Sequence, residues 1–256
     1  MNIGLVDVDN HNYPNLALMK LSAYHKSKGG NVEGANALFG EYDIVYQAKV
    51  FSFTADDNTV YRTKQLIKGG TGYDLKSVLP ADVEHQFPDY SLYGITDTAY
   101  GYLSRGCPRG CPFCIVKDKE GLHSHKVADL SEWWNGQKNI ELLDPNITAC
   151  PDWENLFTQL LDSKSYINFN QGLDIRFMTE AKAEMLSKMK IKLVHFAWDN
   201  YEDKFIPGLL EKYSPYFNFD WTRRRVYVLT NFNSTIEQDL ERIYTIRSLR
   251  FDPYVM

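Results

Sequence analysis

Several things are scarce in this sequence. Basic side chains are outnumbered: 28 lysines and arginines stand against 33 aspartates and glutamates, a formal charge of −5. That balance speaks against a nonspecific nucleic-acid binder, while leaving room for a local basic patch. No apolar run approaches the length of a membrane span, so no membrane association is expected. The start, "MNIGLVDVDN", lacks a basic region followed by a cleavage-site pattern, so it does not read as a signal peptide and a cytoplasmic location is expected. Cysteine is rare too, with four in 256 residues. Three of them are clustered, which is no disulfide framework and points to a metal site or redox chemistry. Hydrophobic residues, by contrast, make up 44% of the chain. That is a globular composition with material for one large core or two small ones.

Apolar runs of strand length alternate with amphipathic stretches. "NIGLVDV" reads as a strand, "NLALMKLSAYHKSKGG" as a helix stopped by a glycine pair, and "EYDIVYQAKVF" as a strand. "TVYRTKQLIKGGTGYD" fits a helix or an extended segment ending in a Gly-rich turn, and the polar, Pro-containing "KSVLPADVEHQFPDYSLYG" reads as a linker. From Thr98 six strand candidates follow: "TAYGYLS", "NIELLD", "YINFNQ", "IKLVHFAWD", "RRVYVLTNF" and "DPYVM". Helical patterns separate the last five of them. This alternation predicts α/β architecture with parallel strands. The expected organisation is a small Rossmann-like domain over residues 1–97, then a (β/α)6 partial barrel over 98–256.

"GCPRGCPFC" carries Cys107, Cys111 and Cys114 at C-x3-C-x2-C spacing. Prolines after two of the cysteines and glycines before them exclude a helix, so the segment is a loop wrapped around something. Thiolates suit zinc or iron–sulfur clusters. A 4Fe–4S cluster usually takes four cysteines; with three, one iron is left for a small molecule bearing an amine and a carboxylate. The alternative is zinc, with His123 or His125 completing a Cys3His set in a non-catalytic interaction protein. Cys150 stands apart and reads as a small buried hydrophobe.

The loop resembles the signature of the radical S-adenosylmethionine (SAM) superfamily, C-x3-C-x-(aromatic)-C, here Cys107, Cys111, Phe113 and Cys114. The resemblance implies a 4Fe–4S cluster held by the three cysteines, in the loop after the first strand of a partial barrel. It implies SAM on the open iron, reductive cleavage to a 5′-deoxyadenosyl radical, and an electron donor such as flavodoxin or ferredoxin. The substrate is not identified by any residue.

In β/α barrels, functional side chains stand at the C-terminal strand ends. The polar groups there are Asp144 and Asn146; Asn168, Asn170, Gln171, Asp174 and Arg176; Asp199 and Asn200; and Thr230 and Asn231. With Phe113, the residues expected to contact SAM are Asp144, Gln171, Arg176, Asp199 and Asn231. Asp144 departs from the family's Gly-Gly-Glu pattern at the second strand. Arg176 would balance a cofactor carboxylate or pair with Asp174, and helix capping is the plainer role for Asp199, Asn200 and Thr230.

The first region resembles the cobalamin-binding-type domain that precedes the barrel in one radical SAM class. Where histidine ligation of cobalt uses D-x-H-x-x-G, this chain has Asp9, His11 and Pro14. A degenerate domain without cobalamin is therefore expected, with His11 as a loop or capping residue. Gly69–Gly70–Thr71–Gly72 lacks the P-loop ending. "WTRRRVYV" reads as an exposed loop entering a strand, and Trp133 and Trp134 as cover for a barrel edge. Since the sequence stops on the sixth strand, the expectation is a barrel mouth that is open or closed by a partner, an open one being suited to a large substrate such as a peptide or nucleic acid.

Overall fold

The computed structural model describes residues 1–10 and 13–256; the role expected for His11 lies outside them. The chain divides into two compact units, Met1–Thr96 and Asp97–Met256. Both are α/β, and each is built on a parallel sheet.

In the first unit, β1 (Asn2–Asp7), β2 (Asn31–Gly34), β3 (Glu41–Ala48) and β4 (Arg62–Gly69) form a sheet in the order β2-β1-β3-β4. All three pairings are parallel. The segment read as helix or extended is thus a strand: pairing along the whole of β3 overrides the helix-forming Lys64, Gln65 and Leu66. Helix α1 (Leu16–Ser27) starts where the Asn15 side chain accepts from the Leu18 N–H, and Gly29 at φ 76° lies just past its end. Its Leu18 and Leu21 join Ile3, Leu5 and Ala48 in the core.

The expected linker is a folded part of this unit. It carries the one-turn helix α2 (Ala81–Glu84), whose Val83 belongs to the same core. Lys20 pairs with Glu84 at 2.8 Å, and the Ser22 hydroxyl donates to Asp89 at 2.6 Å. Buried contacts from a few apolar residues outweigh the polar, proline-bearing composition.

The second unit holds β5 (Thr98–Gly101), β6 (Ser104–Arg105), β7 (His125–Lys126), β8 (Asn139–Leu142), β9 (Tyr166–Phe169), β10 (Lys190–Ala197), β11 (Arg224–Val228) and β12 (Asp252–Val255). Six of these make a sheet in the order β12-β11-β10-β9-β8-β5, parallel throughout, with β5 and β12 at its edges. Helices α4 (Trp153–Ser163), α5 (Glu180–Lys188), α6 (Ile206–Tyr213) and α7 (Ile236–Ser248) make the last four crossovers. The first crossover differs. Between β5 and β8 the chain forms the cysteine loop, the single turn α3 (Val116–Lys119) and the antiparallel β6–β7 pair.

One face of this sheet is apolar. Phe157 of α4 lies against Phe169 of β9, and Ile140, Ile167, Val194, Phe196 and Val226 are buried. The alternation of strand side chains turns Glu141, Asn168, His195, Arg225 and Tyr227 to the opposite face.

Candidate functional site

The cysteine loop leaves β5 and turns at Gly106. Its φ is 83°, and a Cβ there would run into the His123 carbonyl, so glycine is required. Gly110 gives a second left-handed turn at φ 56°. The Cys107 N–H donates to the Gly121 carbonyl at 3.2 Å, and the Cys114 N–H to the Cys111 carbonyl at 3.1 Å. Cys107, Cys111 and Cys114 are all free and partly buried. Burial pushes the Cys111 thiol up; Arg109 opposes this, while Cys107, Cys114 and Asp199 add to it. The three thiols and Asp199 therefore share one electrostatic neighbourhood.

Loops from four other strands meet this segment. After β8, the buried Asp144 accepts from the Leu103 N–H at 2.9 Å, from the Ser104 hydroxyl at 2.6 Å and from the Ser104 N–H. Burial pushes its carboxyl up to about 7 against the pull of those donors. Both of its oxygens thus hold the chain entering the cysteine loop. Two residues on, Asn146 directs Nδ2 at the Cys107 sulfur, 3.4 Å away.

After β9, Asp174 and Arg176 pair at 2.8 Å, and Arg176 reaches Asp203 at 2.7 Å. Arg109, from between the first two cysteines, lies 3.7 Å from each of those aspartates. Asp174 is pushed up to about 6 by burial, and Asp199, at the end of β10, likewise. Asp199 keeps one carboxylate oxygen buried without a hydrogen-bond partner. After β11, Phe232 meets the Phe113 ring edge-on at 5.3 Å.

The expected SAM contacts are thus distributed. Arg176, Asp199 and Phe113 face the cysteine loop or its partners, and Asp144 braces the entry to that loop. Gln171 is exposed. Asn231 is exposed as well, with φ 56° and its N–H donated to Asp239 at 3.1 Å. Asp174 caps the turn at Ile175–Phe177, and Asn200 makes a local turn bond, but neither Asn200 nor Thr230 caps a helix. Phe205 and Thr235 hold the N-cap positions of α6 and α7, while Thr230 donates to the Met256 carbonyl and Asn200 accepts from the Glu202 N–H.

Three positions in this arrangement escaped the sequence reading: Arg109, Asp203 and Arg242. Arg242 is fully buried and donates to the carbonyls of Trp198, Asp199 and Leu229, tying the ends of β10 and β11 together. A lone arginine in an amphipathic helix gives no sequence signal of this. The Arg223–Arg225 triplet is engaged within the unit. Arg224 donates to the Phe217 and Phe219 carbonyls, and Arg225 pairs with Asp252 at 3.2 Å. Trp133 packs where a Cβ on Gly101 would otherwise stand, and its indole N–H donates to the Tyr102 carbonyl.

Among the described residues, no three His, Cys, Asp or Glu side chains converge on a single ion position. An iron–sulfur cluster offers separate irons to separate thiolates. His123 and His125 are exposed, and the His125 ring contacts the His123 carbonyl. Three soft, partly buried thiols on one glycine-shaped loop fit a cluster. Among the described residues no helix is long and apolar enough to cross a membrane.

No family model matches the chain. It is similar to the ribosomal protein uS12 methylthiotransferase RimO of two Vibrio cholerae serotype O1 strains, 28% identical over 170 residues in each case. The match covers 63% of this chain and 35% of each relative, so the chain spans about a third of the length of the curated relatives it matches.

Proposed function

We propose that this chain is a radical SAM enzyme, with Cys107, Cys111 and Cys114 holding a 4Fe–4S cluster and SAM bound at the strand-end mouth. The observation that carries the reading is the meeting of the three-thiol loop with Asp144, Asn146, Asp174, Asp199 and Phe232 from four strand ends. A cluster held by Cys107, Cys111 and Cys114 would supply the single-electron reduction on which cleavage of SAM depends.

The chain's own residues bind and orient. Asp144 fixes the backbone at Leu103 and Ser104, which sets the approach to Cys107. Asn146 donates toward the Cys107 sulfur; hydrogen bonds to cluster sulfurs tune the potential. Asp199, with an oxygen that lacks a partner, is an acceptor for a ligand N–H or hydroxyl. Phe113, edge-on to Phe232, ties the loop to the end of β11.

The open six-stranded sheet is read as a (β/α)6 partial barrel, and the first unit as a cobalamin-binding-type domain that has lost its ligand. The electron comes from a flavodoxin- or ferredoxin-like donor. The substrate is a peptide or nucleic acid, and the relatives' name, which specifies a ribosomal protein, makes polypeptide the first class to try.

Anaerobic incubation of the reconstituted protein with SAM and dithionite tests the reading. Formation of 5′-deoxyadenosine and methionine, abolished by Cys111→Ala, is expected. A protein that retains stoichiometric zinc and leaves SAM intact would instead be a binding module.

A further inference from the structure

We infer that Arg109 is a positioning residue: it clamps the segment between Cys107 and Cys111 onto the strand-end loops and so fixes where the cluster ligands stand. The inference rests on the reading of the cysteine loop as a cluster site and adds a device to it.

The clamp is a closed ring of four charges. Arg109 Nη1 is 3.7 Å from Asp174, and Arg109 Nη2 is 3.7 Å from Asp203. Arg176 bridges the same two carboxylates from below, at 2.8 and 2.7 Å. Asp174 and Arg176 follow β9, while Asp203 follows β10, so one loop arginine is held by two separate crossovers. All four side chains are largely withdrawn from water; Asp174 is the most buried, with 8% of its side chain exposed. Charges in such a place must be matched, and here two cations face two anions.

A second route joins the same parts. Asn146, which points at the Cys107 sulfur, accepts from the Thr148 hydroxyl at 2.8 Å, and that hydroxyl accepts from the Asp174 N–H at 3.1 Å. Asp174 is therefore tied to the cysteine loop twice, once at Cys107 through Asn146 and once through Arg109. Arg109 Nη1 has no hydrogen-bond partner of its own. It is retained in the ring by charge and by the fork geometry that lets one guanidinium meet two carboxylates. Lysine offers one ammonium in place of the fork, so it can keep the charge and only part of the hold.

Hydrogen exchange on the cofactor-free full chain tests the clamp. The amides of Cys107 and Cys114, bonded to the carbonyls of Gly121 and Cys111, report on the loop. In Arg109→Ala, peptides covering this loop should exchange faster by roughly five- to tenfold, the scale for losing a partly buried, networked ion pair. Peptides over α7 should be unchanged. Arg109→Lys should restore part of the protection, and Asp203→Asn should loosen the loop in the same direction. In reconstituted protein, Arg109→Ala should broaden or shift the reduced-cluster resonance. Loop exchange unchanged in both Arg109→Ala and Asp203→Asn would overturn the clamp. A wild-type chain that never shows a SAM-responsive cluster would overturn the functional reading instead, and the exchange result would still decide the clamp.

Discussion

The two units share an architecture and differ in what they do with their strand ends. In the first unit the loops close on themselves. Asp9 accepts from the Val50 and Phe51 N–H groups and the Thr54 hydroxyl; Lys49 pairs with Asp56 and packs against Gly72. Among the described residues, the buried side-chain atoms left unsatisfied there are neutral: the Gln47 oxygen and the Tyr73 hydroxyl. In the second unit the strand-end loops converge on three free thiols, and the unsatisfied atoms include charged ones, an oxygen of Asp199 and nitrogens of Arg109 and Arg242, beside the neutral Asn168 and Trp198. The same kind of sheet carries a filled set of loops in one case and a receptive set in the other. The contrast explains why fold alone assigns no activity: the chemistry is in the side chains that the loops carry.

The sharpest way to break the comparison is to remove a thiol. Alanine at Cys107, Cys111 or Cys114 should abolish the reduced-cluster signal, while Cys150→Ala, buried and outside the loop, should keep it. Iron and sulfide content with the spectrum checks this. Equal loss in all four would mean that the loop is not distinguished from the core.

Arg242→Ala comes next, at roughly 3–5 kcal/mol of lost stability, because it leaves the carbonyls of Trp198, Asp199 and Leu229 and the Asp239 carboxylate without their buried partner. Chemical denaturation reads it.

A matched pair of glycine substitutions separates the units. Gly106→Ala and Gly70→Ala each force a left-handed backbone, φ 83° and 98°, against a carbonyl. Each should cost about 1–3 kcal/mol. Only Gly106→Ala should lower cluster loading; an equal fall in Gly70→Ala would mean that the first unit's loop also serves the cluster.

The last effect is in pH dependence. Burial raises Asp144 to about 7 in the folded chain, against about 4 unfolded. Its stabilising share is complete at acid pH and is lost as pH climbs between those values, since only the folded form keeps the proton. Asp144→Asn should flatten this fall in Tm across that window. A slope unchanged by the substitution would place the titration elsewhere.

The alternation of strands and helices was legible because each strand is a short apolar run with clear turns around it, as in "NIELLD" and "IKLVHFAWD". The cysteine loop was legible because three thiols with glycines and prolines have few other uses. Of the charge ring only the Asp174–Arg176 pair was legible. Arg109 stands beside cysteines, and its partners Asp174 and Asp203 are 65 and 94 positions further on; nothing local announces a pair made by two crossovers. The linker was misread for a related reason. One buried valine, Val83, decides the matter, and composition averages it away.

The most direct test is electron paramagnetic resonance on anaerobically reconstituted, dithionite-reduced protein, recorded with and without SAM. The account predicts a reduced 4Fe–4S signal whose shape changes when SAM is added. A signal indifferent to SAM, or no cluster at all, would contradict it.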